Sequence, residues 1–187
     1  TALDADVPRV WPERSSNLAF RYHKGDRAAT EAAFAWAAHV TDLTVVNNRL
    51  ISNYLEPRAA IGRYDASTDR YLLQAPSQGV HSLRNILAKD IFHVDPEQVD
   101  VVTGDVGGGF GVKQFLYGEE AIITWAAKKV GVPVKWVAER SEGFVSDRHG
   151  RDHVTEAELA LDETGKFLGF RVRTLANMGG YLSTFGP

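Results

Sequence analysis

Cysteine is absent from the 187 residues. The chain therefore forms no disulfide, thiolate zinc site or cysteine nucleophile, and holds no cysteine-ligated iron–sulfur cluster of its own. Long apolar runs are also lacking: none reaches the ~20 residues that span a bilayer. Neither sign of charge dominates. Lys and Arg number 21 against 24 Asp and Glu, a net charge of −3, so no global basic field draws nucleic acid or an anionic membrane. The stretch Thr1 to Pro12 lacks an initiating Met, a basic n-region and an apolar h-region, and does not read as a signal peptide. Both ends read as cut. The lack of Cys suits the reducing cytoplasm, which is the expected location.

What is present suits a globular body. Hydrophobic residues make up 44% and charged residues 24%, outside the disordered range. Residues 1–17 are polar and proline-containing and read as a linker or arm, with one partial domain expected over 18–187. Leu18 to His23 reads as a strand. Asp26 is a fair N-cap for a helix to about His39. Leu43 to Leu55 is β-branched and reads as strand, interrupted near Pro57. Ala60 to Tyr64 and Arg70 to Gln74 flank a hairpin turn. Ser77 precedes a helical stripe of Val80, Leu83, Leu87 and Ile91. Val99 to Thr103 is a short buried-type strand, and a helix runs from near Tyr117 to Gly131. Pro133 to Glu139 reads as strand and Ser141 to Asp152 as a polar loop. A second hairpin joins Thr155 to Leu161 with Phe167 to Leu175. Strands, hairpins and helices in this mixture give an α+β class with a mixed β-sheet and packed helices.

The most unusual segment is Thr103-Gly104-Asp105-Val106-Gly107-Gly108-Gly109-Phe110-Gly111-Val112-Lys113. Glycines here permit φ > 0 and close approach of a ligand to the backbone, and successive N–H groups can form an anion-binding concavity. A P-loop requires Gly-Lys-Ser/Thr, whereas Lys113 lies between Val112 and Gln114. A dinucleotide fingerprint requires glycine at the sixth position, which from Gly107 is Val112. A tight strand-to-helix turn without a ligand remains open on these residues alone.

Gly-Gly-Gly-Phe-Gly-x-Lys resembles the signature of the molybdenum-cofactor-binding large subunit of the xanthine dehydrogenase, aldehyde oxidase and aerobic carbon monoxide dehydrogenase family. The resemblance continues in order through Asn47-Asn48-Arg49, Leu55-Glu56-Pro57-Arg58-Ala59-Ala60, and Ser77-Gln78-Gly79-Val80-His81-Ser82-Leu83-Arg84. It then takes in Pro133-Val134-Lys135-Trp136, Arg140-Ser141-Glu142, His149-Gly150-Arg151-Asp152, and Asn177-Met178-Gly179-Gly180-Tyr181-Leu182-Ser183-Thr184. The style is nearest the carbon monoxide dehydrogenase-like bacterial branch.

The resemblance implies a molybdopterin with molybdenum, often the cytosine dinucleotide form in bacteria. The dithiolene holds the metal and the protein supplies hydrogen bonds and shape, so no metal ligand is expected from the chain. Gln78 matches the family's glutamine beside the metal's oxo ligand. Ser77 as N-cap would place it in a helix's first turn. Gly108, Gly109, Phe110 and Gly111 match the segment whose amides contact the molybdenum–oxygen group and whose Phe walls the site. Arg151 lies where relatives place an arginine near the substrate entrance, with Arg148 as a rival. Glu56-Pro57-Arg58 is a family tag for which a local ion pair serves as well as a substrate contact. Structural roles are expected for His81 and His149, and surface or capping roles for Asp105, Glu119 and Glu120. Gln114 stands where some xanthine-oxidising relatives carry glutamate, which counts against a purine substrate.

No catalytic residue is expected within this chain, because the family's base falls beyond its last residue, and the isolated chain is expected to lack turnover. The 2Fe-2S clusters and FAD are expected on partner subunits, or on fused domains, and an oligomer is expected. The implied reaction is hydroxylation or oxidation of a small aldehyde, an N-heterocycle or carbon monoxide. A nucleotide-binding module and a non-catalytic scaffold are the alternatives. Self-association or a large apolar surface is expected around Leu168 to Phe185.

Overall fold

In the computed structural model, which describes residues 2–181, the strands pair into two separate sheets. The first elements in chain order are α1 (Arg27–Trp36), β1 (His39–Asn47), β2 (Ala59–Asp65), β3 (Arg70–Gln74), α2 (Val80–Ile86) and β4 (Val99–Val102). Then come α3 (Gly118–Val130), β5 (Val134–Val137), α4 (Arg140–Ser146), β6 (His153–Leu161) and β7 (Phe167–Ala176). Two compact units result: one from the described residues up to Arg49 together with those from Arg151 on, the other Leu50–Gly150.

The first unit is an antiparallel sheet of order β1-β6-β7 with α1 against β7. The Asp26 side chain accepts from Ala29 N–H at 3.0 Å and starts α1 as its sequence requires. Arg171 on β7 reaches Glu31 of α1 at 3.1 Å and Glu158 on β6 at 2.7 Å. The opposite face carries the cross-strand rows Thr41–Leu159–Phe170 and Leu43–Ala157–Val172, and Phe170 is 63% exposed. Of the stretch expected to carry an apolar surface, Leu168, Phe170, Val172, Leu175 and Tyr181 are exposed; residues 182–185 of that stretch lie outside the described residues. Leu18 to His23 is not a strand. Its alternating apolar residues find no strand to pair with among the described residues, and alternation alone does not make a ladder.

The second unit is a mixed sheet of order β4-β3-β2-β5, in which only the β3–β4 pair is parallel. This is the mixed-sheet α+β class expected from sequence. α2 forms part of the β3-to-β4 crossover, and α3 packs on β2. Leu73, Leu83, Leu87, Ala88 and Val99 form the fully buried core. α2 continues into a π-helical turn, Leu87–Phe92. Its wider i→i+5 bonding turns Ile91 out to solvent, off the stripe that normal helical spacing predicts.

Two other boundaries differ. The strand expected over Leu43 to Leu55 begins at His39 and stops at Asn47, after which Arg49 turns to pair with Asp152 at 2.9 Å. The loop expected over Ser141 to Asp152 contains α4, started by a Glu139–Glu142 capping box.

Candidate functional site

β4 feeds the chain into the glycine loop, which leads through a 3₁₀ turn, Val112–Gln114, to α3. Three ties fix the loop. Glu56 and Gly107 exchange bonds: Glu56 N–H donates to the Gly107 carbonyl at 3.1 Å, and Gly107 N–H donates to Glu56 Oε2 at 2.9 Å. Lys113 Nζ donates to the same carboxylate oxygen at 2.7 Å. Gln78 N–H donates to the Lys113 carbonyl at 3.0 Å, and Gly111 N–H donates to Gln78 Oε1 at 2.9 Å.

These contacts require glycine. A Cβ on Gly107 would lie 2.5 Å from Glu56 Cβ, and one on Gly109 would lie 2.3 Å from Gln78 Oε1. Gly108 and Gly111 sit at φ 92° and Phe110 at φ 48°. A bulky side chain at positive φ is uncommon, and here it turns the Phe110 ring outward, 76% exposed. Phe110 is therefore a surface residue, available to wall a site and not part of a core.

The donors left over define the chemistry. With Oε1 engaged by Gly111, the Gln78 amide presents Nε2 and its two N–H bonds outward. Neither Nε2 nor the N–H groups of Gly108, Gly109 and Phe110 have a partner among the described residues. A carboxamide donor beside unpaired backbone donors suits an electronegative oxygen-bearing group. Gln78 precedes α2 instead of lying in its first turn, because Gly79 is the N-cap. Ser77 Oγ accepts from Gly79 N–H at 3.0 Å and shapes that entry without capping the helix as expected.

Behind the loop lies a buried charged frame. The Lys113 side chain is 1% exposed and its ammonium lies 4.7 Å from the Tyr54 ring centre. Tyr54 OH donates to Asp147, which also receives Arg58 Nε at 2.6 Å. Arg58 further reaches Glu119 and Ser146 and lies 3.7 Å over the Tyr117 ring. Burial opposes the Glu56 charge, but the hydrogen bonds from Lys113 and Gly107 outweigh it and hold that carboxyl below its ordinary pKa. Burial, then the bond to Asp147, pushes the Tyr54 phenol up. Burial pushes Glu120 up to about 7, although its carboxylate accepts the Tyr117 N–H at 3.0 Å.

Glu56 and Arg58 do not pair with each other. They serve Lys113 and Asp147 instead. Sequence reading missed Tyr54, Lys113 and Asp147 as members of this frame; the lysine closing a glycine motif was the one available signal. Arg151 belongs to the first unit, where it is exposed at φ 69°. Among the described residues no group of three or more His, Asp or Glu could hold a metal ion.

The loop thus presents a set of outward donors at one end of a mixed-sheet unit. The chain belongs to the molybdopterin cofactor-binding domain family, whose model matches residues 10–187. It is 35% identical over 84% of its length to the gamma subunit of the 6-hydroxypseudooxynicotine dehydrogenase complex of Paenarthrobacter nicotinovorans, covering 20% of that protein. It is 31% identical over 94% of its length to the carbon monoxide dehydrogenase large chain of Hydrogenophaga pseudoflava, covering 22% of it. The solved carbon monoxide-reduced Cu,Mo-CO dehydrogenase superposes with a TM-score of 0.81 at 28% identity, over 94% of this chain and 23% of that one. The chain thus spans about a fifth of the length of these relatives.

Proposed function

We propose that this chain is part of the large subunit of a molybdenum hydroxylase, and that Gln78 with Gly108, Gly109, Phe110 and Gly111 forms its contact to the molybdenum cofactor. The observation that carries this is the Gly111 N–H to Gln78 Oε1 bond of 2.9 Å, which fixes the carboxamide with its donors outward. When bound, the molybdopterin cofactor supplies two-electron oxidation with oxygen drawn from water. The residues here bind and orient: Gln78 Nε2 and the free loop amides donate toward negative charge, already positioned before any reaction. Phe110 excludes water and walls the substrate side, and Arg151 is the candidate at the substrate entrance.

No residue of this chain is assigned as the general base. The cytosine dinucleotide form of the cofactor, an iron–sulfur partner and an FAD partner, or fused equivalents, complete the proposal, with a cytoplasmic location. The substrate is a small aldehyde, N-heterocycle or carbon monoxide. Relatives named for 6-hydroxypseudooxynicotine and for carbon monoxide support a small-molecule substrate. The test is Gln78→Ala in the intact enzyme. Turnover is expected to fall about 10²-fold, the size of effect seen when one such donor is removed, with molybdenum retained. Unchanged turnover would contradict the assignment.

A further inference from the structure

We propose that Glu56 and Lys113 form a clasp that closes the glycine loop into its donor-presenting shape, and that they are positioning residues for the cofactor. The proposal rests on the reading of that loop as the cofactor contact.

One carboxylate oxygen, Glu56 Oε2, receives both ends of the loop: Gly107 N–H at 2.9 Å and Lys113 Nζ at 2.7 Å. The five residues between these ends include every unpaired backbone amide described above. Gly107 bonds Glu56 through backbone as well, and its missing Cβ is what allows the approach. At the other end, the Lys113 carbonyl holds Gln78 N–H, so the residue that closes the loop also seats the carboxamide.

A purely structural role would not select these side chains. Lys113 is 1% exposed, while Glu56 is 38% exposed. Burying an ammonium is costly, and replacing both members of a buried pair by apolar side chains of similar volume is often neutral or stabilising. The ion pair therefore contributes shape more than stability. Phe110 at φ 48°, between glycines at φ 92°, is a conformation that persists only where its surroundings impose it. The clasp is the one charged tie across that segment among the described residues.

The experiment uses Glu56→Gln and Lys113→Met in two forms. In the purified chain, amide hydrogen exchange is followed at residues 107–113 and, as an internal control, along β4, together with the unfolding midpoint. In the intact enzyme, bound pterin and molybdenum are measured. Loop amides Gly107 and Gly111 should exchange about tenfold faster in either variant, as a lost charge-assisted bond predicts. Exchange along β4 should not change, and the intact enzyme should lose cofactor. Lys113→Met places an apolar chain in the buried slot, and so tests the clasp even if Glu56→Gln strands the lysine and unfolds the unit. Unchanged loop exchange in Lys113→Met would overturn the clasp. Faster loop exchange with cofactor fully retained would overturn its role toward the cofactor. Failure of the underlying reading is separable: Gln78→Ala would then leave turnover intact while the exchange result stands.

Discussion

Arg58 Nε donates to Asp147 Oδ1 at 2.6 Å, and both side chains are almost wholly buried, 2% and 3% exposed. This pair ties the segment before β2 to the end of α4 and orients the Tyr54 hydroxyl behind the loop. Removing one partner leaves a buried charge unpaired, at a cost of about 3–5 kcal/mol. Arg58→Met should therefore lower unfolding stability by that amount in a denaturant titration. Arg58→Met combined with Asp147→Leu should recover most of the loss, since the charge is then gone from both sides.

Gly109 and Gln78 should act as one unit. The Cβ of Gly109→Ala would meet the end of a flexible side chain, Gln78 Oε1 at 2.3 Å, so Gln78 yields and the fold stays intact. Turnover of the intact enzyme should fall about 10²-fold, as for Gln78→Ala. The double variant should fall no further, because both changes remove the same donor. Additive losses would separate the two residues.

Glu120 gives a pH dependence of definite sign. Burial raises its folded pKa to about 7 from the ordinary 4.5, so the folded protein holds this proton to higher pH than the unfolded chain does. Its contribution to stability falls as pH rises from about 4.5 to about 7 and is constant above. Glu120→Gln keeps an acceptor for the Tyr117 N–H and removes the titration. The variant should match the parent in unfolding stability below pH 4.5. Above pH 7 it should exceed the parent by on the order of 1–3 kcal/mol.

The bare face of the first unit's sheet should drive association. Phe170 and Val172 stand exposed on the side away from α1, in the cross-strand rows of Thr41 and Leu43, and exposed apolar surface promotes association. Sedimentation of the purified chain should depend on concentration, and Phe170→Glu with Val172→Glu should weaken that dependence.

How much of this was legible in the sequence follows from how far apart the partners lie. The β2–β3 and β6–β7 hairpins announce themselves through local turn chemistry: Asp65 accepts from Ser67 N–H, and Asp162 from Thr164 N–H. The glycine loop was visible by composition. Its partners were not, since Gln78 lies 33 residues from Gly111 and Glu56 lies 57 residues from Lys113. Only family resemblance singled out Gln78. α4 escaped notice because it is short and polar, and Arg58 holds its end through Ser146 and Asp147. Which strands share a sheet was also hidden, with Leu43 pairing opposite Ala157.

The most direct test of the central claim is elemental and pterin analysis of the protein purified from its natural host. The account predicts molybdenum in stoichiometric amount with molybdopterin, in a complex that also carries iron and flavin. Protein without molybdenum or pterin, in a host that loads its other molybdenum enzymes, would contradict it.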